Sequence, residues 1–157
     1  MNVITAASVS DFEKARTLFK EYAQSLPFDL SYQDFEKELD TLNTQYNKPD
    51  GALLLFILPD NNAAGCVGVR KFSEGIAELK RLYVKPDHRN LKIGKTLLET
   101  AIAIARHLNY AYMRLDSVPG QSKAQELYKQ FGFYEIPPYR YSPVEGTIFF
   151  EKILAGQ

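Results

Sequence analysis

Apolar residues recur along the chain with two different spacings. Runs with period two, or continuous apolar runs ended by Gly, Pro or Asn, predict strands. These strands cover residues 1–7, 53–58, 64–72, 76–84, 112–116, 134–136 and 147–153. Apolar residues three and four positions apart predict helices that begin near Ser10, Ser31, Leu91 and Ser122. Ser10 and Ser122 each precede a Glu or Gln by three positions, which is the spacing of a capping box.

The predicted order is β-α-α-β-β-β-α-β-α-β-β. The helix at 91–108 joins the strands at 76–84 and 112–116, which requires a crossover, so these two strands are expected to be parallel neighbours. The helix is apolar over a wide arc and should be largely buried, whereas strand 64–72 alternates and should be half-buried. The predicted fold class is α+β, a mixed and mostly antiparallel sheet with helices on both faces, in one domain spanning 1–157.

Composition narrows the class of partner. Nineteen basic residues balance nineteen acidic ones, so the net charge gives no reason to expect a nucleic-acid partner. No leader pattern and no apolar run of the ~20 residues that span a bilayer is seen, so a cytoplasmic protein without a membrane partner is expected. The two histidines lack metal-ligand spacing, so no metal is expected. The single cysteine, Cys66, lies among alternating apolar residues and is expected to be a buried thiol rather than a nucleophile.

The most informative segment is the junction between strand 76–84 and the long helix. It reads Arg89-Asn90-Leu91-Lys92-Ile93-Gly94. The N-terminus of a helix leaves amide N–H groups unpaired and carries partial positive charge, so a basic turn that leads into it predicts a cradle for a pyrophosphate. The alternative is that its basic side chains are only solvated.

Three segments, in the right order, resemble the GNAT superfamily of N-acetyltransferases. Residues 82–98 resemble its acetyl-CoA-binding segment, whose turn reads Gln/Arg-x-x-Gly-x-Gly/Ala. Residues 126–133 resemble its Leu-Tyr-x-x-x-Gly-Phe segment, and residues 114–117 resemble the strand end before it. Residues 134–139 and 143–146 resemble a sub-pattern of bacterial acetyltransferases of unassigned substrate.

The resemblance implies acetyl-CoA-dependent transfer of an acetyl group to a primary amine, by direct attack in a ternary complex. It places the family's tyrosine at Tyr128, whose phenol would protonate the leaving thiolate; simple packing in the core is the alternative. Contacts with acetyl-CoA are implied for Leu82, Tyr83, Val84, Arg89, Asn90, Leu91, Lys92, Ile93, Gly94, Lys95, Ser122 and Tyr128. Capping of its own helix is the alternative role for Ser122.

Lys92 departs from the family pattern, because it replaces the inner glycine of the turn. Glycine would let the backbone approach a phosphate closely, whereas lysine needs ordinary φ and ψ or accepts strain. Its ammonium could offset this by pairing with a phosphate. Cofactor binding is therefore expected to survive with the turn slightly rearranged; the alternative is a degenerate site.

Glu78 is the candidate general base, since the family often keeps a glutamate in this strand. Burial in a central strand would raise the pKa of its carboxyl towards a useful value. The alternative is a solvent-facing charge paired with Lys80 or Arg70, and Asp116 is a second candidate base. A backbone N–H near Leu82 is expected to hold the oxyanion, and strands 76–84 and 112–116 would have to splay to admit the pantetheine arm.

A further expectation concerns the acceptor of the acetyl group. Family members select it with the first two helices and the last loop, which here carry Phe28, Tyr32, Tyr46, Tyr139, Tyr141, Asp29 and Asp34. A small-molecule amine is expected, because the chain is compact and neutral and has no docking extension. The alternatives are a protein or peptide N-acetyltransferase and a non-catalytic acyl-CoA sensor. Many family members form homodimers, although no interface is visible in the sequence.

Overall fold

The structure, a computed structural model, describes residues 2–154 apart from the side chain of Asn90. Met1 and residues 155–157 of the predicted domain therefore lie outside the described residues, as does the Asn90 side chain among the predicted cofactor contacts. The described strands form one sheet in the order β1-β2-β3-β4-β5-β7-β6. They are β1 (Val3–Thr5), β2 (Ala52–Ile57), β3 (Ala63–Ser73), β4 (Ile76–Val84), β5 (Tyr112–Ser117), β6 (Tyr134–Ile136) and β7 (Ile148–Ile153).

Helices cover both faces of this sheet. They are α1 (Val9–Ser25), α2 (Phe35–Asp40), α3 (Leu42–Gln45), α4 (Ile93–His107) and α5 (Ser122–Gln130). Short 3₁₀ helices at Ser31–Gln33 and Pro86–Leu91 precede α2 and α4. Strands β4 and β5 are parallel, as the crossover helix predicted, and the other strand pairs are antiparallel. The predicted α+β fold class is confirmed.

Two apolar cores lie on opposite faces of the sheet. One packs α4 and α5 against the sheet around residues such as Leu97, Met113 and Tyr128. The other packs α1, α2 and α3 around Phe19 and Cys66. Cys66 is fully buried, and burial raises the pKa of its thiol strongly, so it behaves as a core residue.

Several sequence-based details are corrected by the structure. The capping box of α1 uses Ser8 and Asp11 instead of Ser10 and Glu13, because the helix begins two residues earlier. The predicted box at Ser122 is wrong, since no side chain caps α5. Strand β3 is buried on both faces over Ala63–Val69, not half-buried, because helices cover both sides of the sheet there. Within residues 2–154, no helix is both long enough and apolar enough to cross a bilayer.

Candidate active site

Strands β4 and β5 pair over a short distance and then separate. The described pairs are Ile76 with Tyr112, Ala77 with Met113 and Glu78 with Arg114. Beyond them, β4 continues along β3 to Val84, and β5 continues along β7 to Ser117. The two parallel strands therefore form a fork, and its open end faces the N-terminus of α4. This divergence is the splay that binding of a pantetheine arm between the two strands would need.

A β-bulge shapes the β4 side of this fork. Strand β4 places two residues, Arg81 and Leu82, opposite Val67 alone, because the flanking pairs are Gly68 with Lys80 and Cys66 with Tyr83. Arg81 has φ 60°, in the left-handed region that non-glycine residues rarely adopt. Bulges bend a strand and redirect its backbone groups. The bulge thus lies where the sequence placed the oxyanion donor.

A buried ion pair holds the bulge in place. Arg81 donates from Nε and Nη2 to the two carboxylate oxygens of Glu38 at 3.1 and 2.7 Å, and the Tyr46 hydroxyl donates to Glu38 at 2.9 Å. Burial alone would raise the pKa of Glu38, but the Arg81 guanidinium outweighs it and the pKa is lowered. Tyr46 is fully buried in this cluster, so its predicted place in an acceptor pocket is wrong.

Lys80 and Asp116 face each other across the fork. Their side chains are 1% and 9% exposed, and Lys80 Nζ lies 3.8 Å from Asp116 Oδ1. Gln33 bridges them, since Lys80 Nζ donates to its Oε1 at 2.9 Å and its Nε2 donates to Asp116 Oδ2 at 3.2 Å. Burial and the neighbouring Arg81 charge lower the pKa of Lys80 to about 8, although Glu78 and Asp116 oppose the shift. Lys80 can therefore exist in both protonation states near neutral pH.

Glu78 lies at the closed end of the fork, where it is surrounded by hydrogen-bond donors. Arg70 Nε donates to it at 3.1 Å, Arg140 Nη2 at 2.6 Å and the Tyr139 hydroxyl at 2.9 Å. Burial would raise the pKa of this carboxyl, but the charges of Lys80, Arg70 and Arg140 lower it. The predicted upward shift is wrong. The alternative of an ion pair with Arg70 is confirmed, although the side chain is buried and not facing solvent.

Tyr128 projects from α5 into the apolar core beside β5. It is 6% exposed, and its ring packs against Phe133 and Phe150 at centroid distances of 5.8 and 6.0 Å. Burial raises the pKa of its phenol, with smaller contributions from Tyr22 and Asp116. The phenol therefore stays protonated at neutral pH.

The turn before α4 keeps the backbone shape that glycine would give. Lys92 has φ 58° and ψ 24° as the residue before the helix, and no side chain caps that end. The backbone N–H of Thr96 bonds back to the Lys92 carbonyl at 3.1 Å, so the amides of the first turn have no partner within the helix. A Cβ on Gly94 would meet only Val84 at 3.7 Å. Lysine thus accepts the strained conformation instead of rearranging the turn.

The other predicted contact residues surround this helix end. Arg89 is held in place, because its Nε donates to the Val84 carbonyl at 2.9 Å and its guanidinium lies 5.6 Å from the centre of the Tyr83 ring. Tyr83 is buried, and Leu91 is 63% exposed. Ile93 packs into the core, and Lys92, Lys95 and Ser122 are exposed. The structure therefore groups the turn residues at the open end of the fork.

Sequence-based reasoning missed the partners that reach the fork from distant segments. Gln33 and Glu38 come from the segment after α1, and Arg140 comes from the loop before β7. One signal was present: Glu78, Lys80 and Arg81 place three charges in a strand that is apolar at its other positions. Within residues 2–154, no group of three or more His, Cys, Asp or Glu side chains is arranged to hold a metal ion.

Residues 13–133 match the Acetyltransferase (GNAT) family. The chain is 35% identical to an uncharacterized N-acetyltransferase of Schizosaccharomyces pombe, over 88% of this chain and 86% of the relative. An acetyltransferase of GNAT family from Staphylococcus aureus has a similar structure, with a TM-score of 0.79, 25% identity and 98% of both chains covered. The PaiA N-acetyltransferase of Thermoplasma acidophilum in complex with coenzyme A gives a TM-score of 0.71 at 23% identity, covering 98% of this chain and 99% of that chain. The similarity thus includes a eukaryotic relative and is not confined to bacteria.

Proposed function

Because the chain belongs to the Acetyltransferase (GNAT) family, we propose that it transfers the acetyl group of acetyl-CoA to a primary amine by direct attack in a ternary complex. The observation that carries the proposal is the fork between β4 and β5, with Lys80 and Asp116 facing each other across it. A covalent enzyme intermediate is not part of the proposal, since the thiol of Cys66 is buried in the core.

The open end of the fork fits an acyl-CoA. The backbone of Leu82 and the N–H of Val84, on the part of β4 that does not pair with β5, would bind the pantetheine arm as an added strand. The Val84 carbonyl is already bonded to Arg89. The amides of the first turn of α4 would bind the pyrophosphate. Lys92, Arg89 and the exposed residues beside them would add charge and contact area. When bound, acetyl-CoA supplies the activated acetyl group as a thioester. A backbone N–H at the bulge, near Leu82, would stabilise negative charge on the acetyl oxygen.

Tyr128 would act at the leaving sulfur. During transfer the bond from carbon to sulfur breaks as the bond from carbon to the amine nitrogen forms, and the sulfur carries the departing electron pair. A phenol kept protonated by burial donates a hydrogen bond to that developing charge and supplies its proton. The high pKa makes complete proton transfer to a thiolate uphill, so stabilisation by hydrogen bonding is the larger part of its effect.

The incoming amine must lose a proton, and the fork offers two acceptors for it. Asp116 with Lys80 lies across the open part of the fork, whereas Glu78 lies at its closed end with three donors already on its oxygens. We therefore favour the pair of Asp116 and Lys80 over Glu78 as the acceptor of the proton that leaves the amine. If Asp116 receives the proton, Asp116→Asn should lower turnover more than Glu78→Gln. A larger loss in Glu78→Gln, greatest at low pH, would restore Glu78 as the base.

A small-molecule amine remains the proposed acceptor. Arg70, Glu78 and Arg140 form one wall of a polar depression of about 440 Å³ beside β4, which is open to solvent and large enough for a small ligand. A peptide N-acetyltransferase would instead acetylate peptides in preference to small amines. A non-catalytic acyl-CoA sensor would bind the cofactor without turnover.

The test combines calorimetric titration with acetyl-CoA and a thiol-release assay over a panel of small amines and peptides. Saturable binding together with release of thiol that depends on the amine is the expected result. Binding with no turnover on any amine would favour the sensor. No binding of acetyl-CoA would overturn the proposal, because the turn before α4 would then be degenerate.

A further inference from the structure

The cavity beside β4 contains more positive than negative side chains. Of its charged lining residues, Lys48, Arg70, Lys71 and Arg140 are basic, and Asp50 and Glu78 are acidic. Lys71 is paired with Glu74 at 2.7 Å, outside the cavity lining. Lys48 and Asp50 are exposed and carry opposite charges. The less exposed part of the lining therefore contains two guanidinium groups and one carboxylate. This part of the lining carries one surplus positive charge.

The two guanidinium groups share Glu78 and keep further donors. Arg70 donates from Nε to Glu78 at 3.1 Å and from Nη1 to Gln45 at 2.6 Å. Arg140 donates from Nη2 to Glu78 at 2.6 Å. Each guanidinium has five N–H donors, so both retain donors that can face the cavity. Their side chains are 22% and 24% exposed, whereas Glu78 beneath them is 1% exposed.

Aromatic rings fix the position of Arg140. Its guanidinium lies 5.2 Å from the centre of the Tyr139 ring and 5.9 Å from that of Phe72. Tyr139 is itself anchored by its hydrogen bond to Glu78 at 2.9 Å. A guanidinium held this way loses little freedom when it binds a planar anion through two parallel hydrogen bonds.

We infer that this cavity binds a carboxylate carried by the acceptor amine. The inference rests on the proposed function and names the class of its substrate. A monoanion matches the single surplus charge between Arg70 and Arg140, and a planar carboxylate can accept two parallel hydrogen bonds from one guanidinium. The carboxylate would sit on the two arginines while the amine reaches Lys80 and Asp116.

The spacing along β4 sets the length of that acceptor. Glu78 and Lys80 are two residues apart on one face of the strand, which corresponds to roughly 7 Å. An extended carbon chain advances about 1.3 Å per bond, given a C–C bond of about 1.5 Å. The amine and the carboxylate are then separated by about five or six bonds. This spacing favours an ω-amino acid such as 6-aminohexanoate over a simple α-amino acid, whose amine and carboxylate are only about two bonds apart.

The test compares 6-aminohexanoate with its uncharged analogue 6-aminohexanamide. Direct titration of each compound into the protein saturated with CoA, and kcat/KM for each in the thiol-release assay, are measured for wild type, Arg140→Met and Arg140→Lys. We expect the acid to be preferred by at least about 10-fold, as one charge-assisted bidentate contact implies. Arg140→Met should abolish the preference by weakening only the acid, and Arg140→Lys should retain part of it. Arg106→Met, an exposed arginine on α4, is the control and should keep the full preference.

Separate outcomes identify which proposal fails. Equal binding and equal kcat/KM for the acid and the amide would overturn the carboxylate site while leaving acetyl transfer intact. A preference that survives in Arg140→Met would also overturn it. Preferential binding of the acid without any release of thiol would support the carboxylate site and contradict the proposed acetyltransferase activity.

Discussion

Arg81 and Glu38 form a bidentate ion pair between the bulge of β4 and helix α2, with donor–acceptor distances of 3.1 and 2.7 Å. Both side chains are buried, and Arg81 occupies the left-handed region at φ 60°. The pair therefore ties the strained backbone at the fork to the segment that follows α1. The shape of the fork depends on a contact between residues far apart in the sequence.

Glu38→Gln is expected to destabilise the protein strongly. The change keeps the shape of the side chain but leaves the Arg81 guanidinium buried without its counter-charge, which costs about 3–5 kcal/mol. The measurement is the free energy of unfolding from urea denaturation at neutral pH. Glu36→Gln, an exposed position on the same helix, is the matched control and should change it by less than about 0.5 kcal/mol. A loss below about 1 kcal/mol for Glu38→Gln would show that the pair does not hold the bulge.

The same pair predicts how stability changes in acid. The pKa of Glu38 is lower in the folded protein than in the unfolded chain, because the Arg81 charge outweighs burial. Its contribution is therefore complete above the unfolded value of about 4.3 and is lost as the pH falls through the lower folded value. Unfolding followed between pH 6 and pH 3 should show a steeper loss for wild type than for Glu38→Gln. Parallel curves would contradict this assignment.

The sequence predicts the elements well and the contacts between them less well. Strand β4 was predicted with its observed bounds because Gly75 and Pro86 mark its ends, and the long helix after it required the parallel neighbour β5. The bulge at Arg81 has no local signature, since it arises from pairing with β3. The pKa of Glu78 was predicted in the wrong direction because the charges of Lys80, Arg70 and Arg140 together outweigh burial, and Arg140 reaches it from a distant loop. Desolvation can be inferred from a strand pattern, whereas compensating charges depend on tertiary structure.

Lys80 should produce a pH dependence that an arginine cannot reproduce. With a pKa of about 8, Lys80 is partly neutral in slightly alkaline solution and can share the proton that leaves the amine. The acceptor used should be a weakly basic amine such as an O-alkylhydroxylamine, which stays neutral throughout the range. Wild-type turnover is expected to rise as the pH increases through about 8. Lys80→Arg keeps a fixed charge and should be slow, by about 10²-fold, and independent of pH.

Lys37→Arg is the matched control for that experiment, because Lys37 is an exposed lysine of α2 and does not line the cavity beside β4. It should keep the wild-type pH profile. If Lys80→Arg also keeps the rise near pH 8, another group accepts the proton and the assignment of Lys80 fails.

Two substitutions at Lys92 separate the effect of its ammonium charge from the effect of its backbone strain. Lys92→Ala and Lys92→Gly both remove the ammonium, but only glycine relieves the left-handed backbone at φ 58°. Lys92→Gly should therefore be more stable than Lys92→Ala by about 1 kcal/mol. Both should bind acetyl-CoA up to about 5-fold more weakly, the loss expected for an exposed ion pair. Urea denaturation and calorimetric titration measure the two effects.

Acetyl-pantetheine, which lacks the pyrophosphate, is the ligand control for Lys92. Neither substitution should change the affinity for acetyl-pantetheine. Lys37→Ala, at an exposed lysine of α2, should change the affinity for neither acetyl-CoA nor acetyl-pantetheine. Equal weakening of acetyl-CoA and acetyl-pantetheine would mean that Lys92 shapes the turn and makes no contact with a phosphate.

Tyr128→Phe separates the chemical role of the hydroxyl from the packing of the ring. Phenylalanine preserves the contacts with Phe133 and Phe150, so the free energy of unfolding should change by less than about 1 kcal/mol. Acetyl-CoA affinity should also be retained, because the hydroxyl acts on charge that develops only as the sulfur leaves. Turnover should fall by about 10²-fold, the usual contribution of one positioned acid. Tyr112→Phe, which removes the hydroxyl of an exposed tyrosine on β5, is the control. Unchanged turnover in Tyr128→Phe would contradict this role. Tyr128 would then be a packing residue of the core, and no side chain of α5 would donate a hydrogen bond to the departing sulfur.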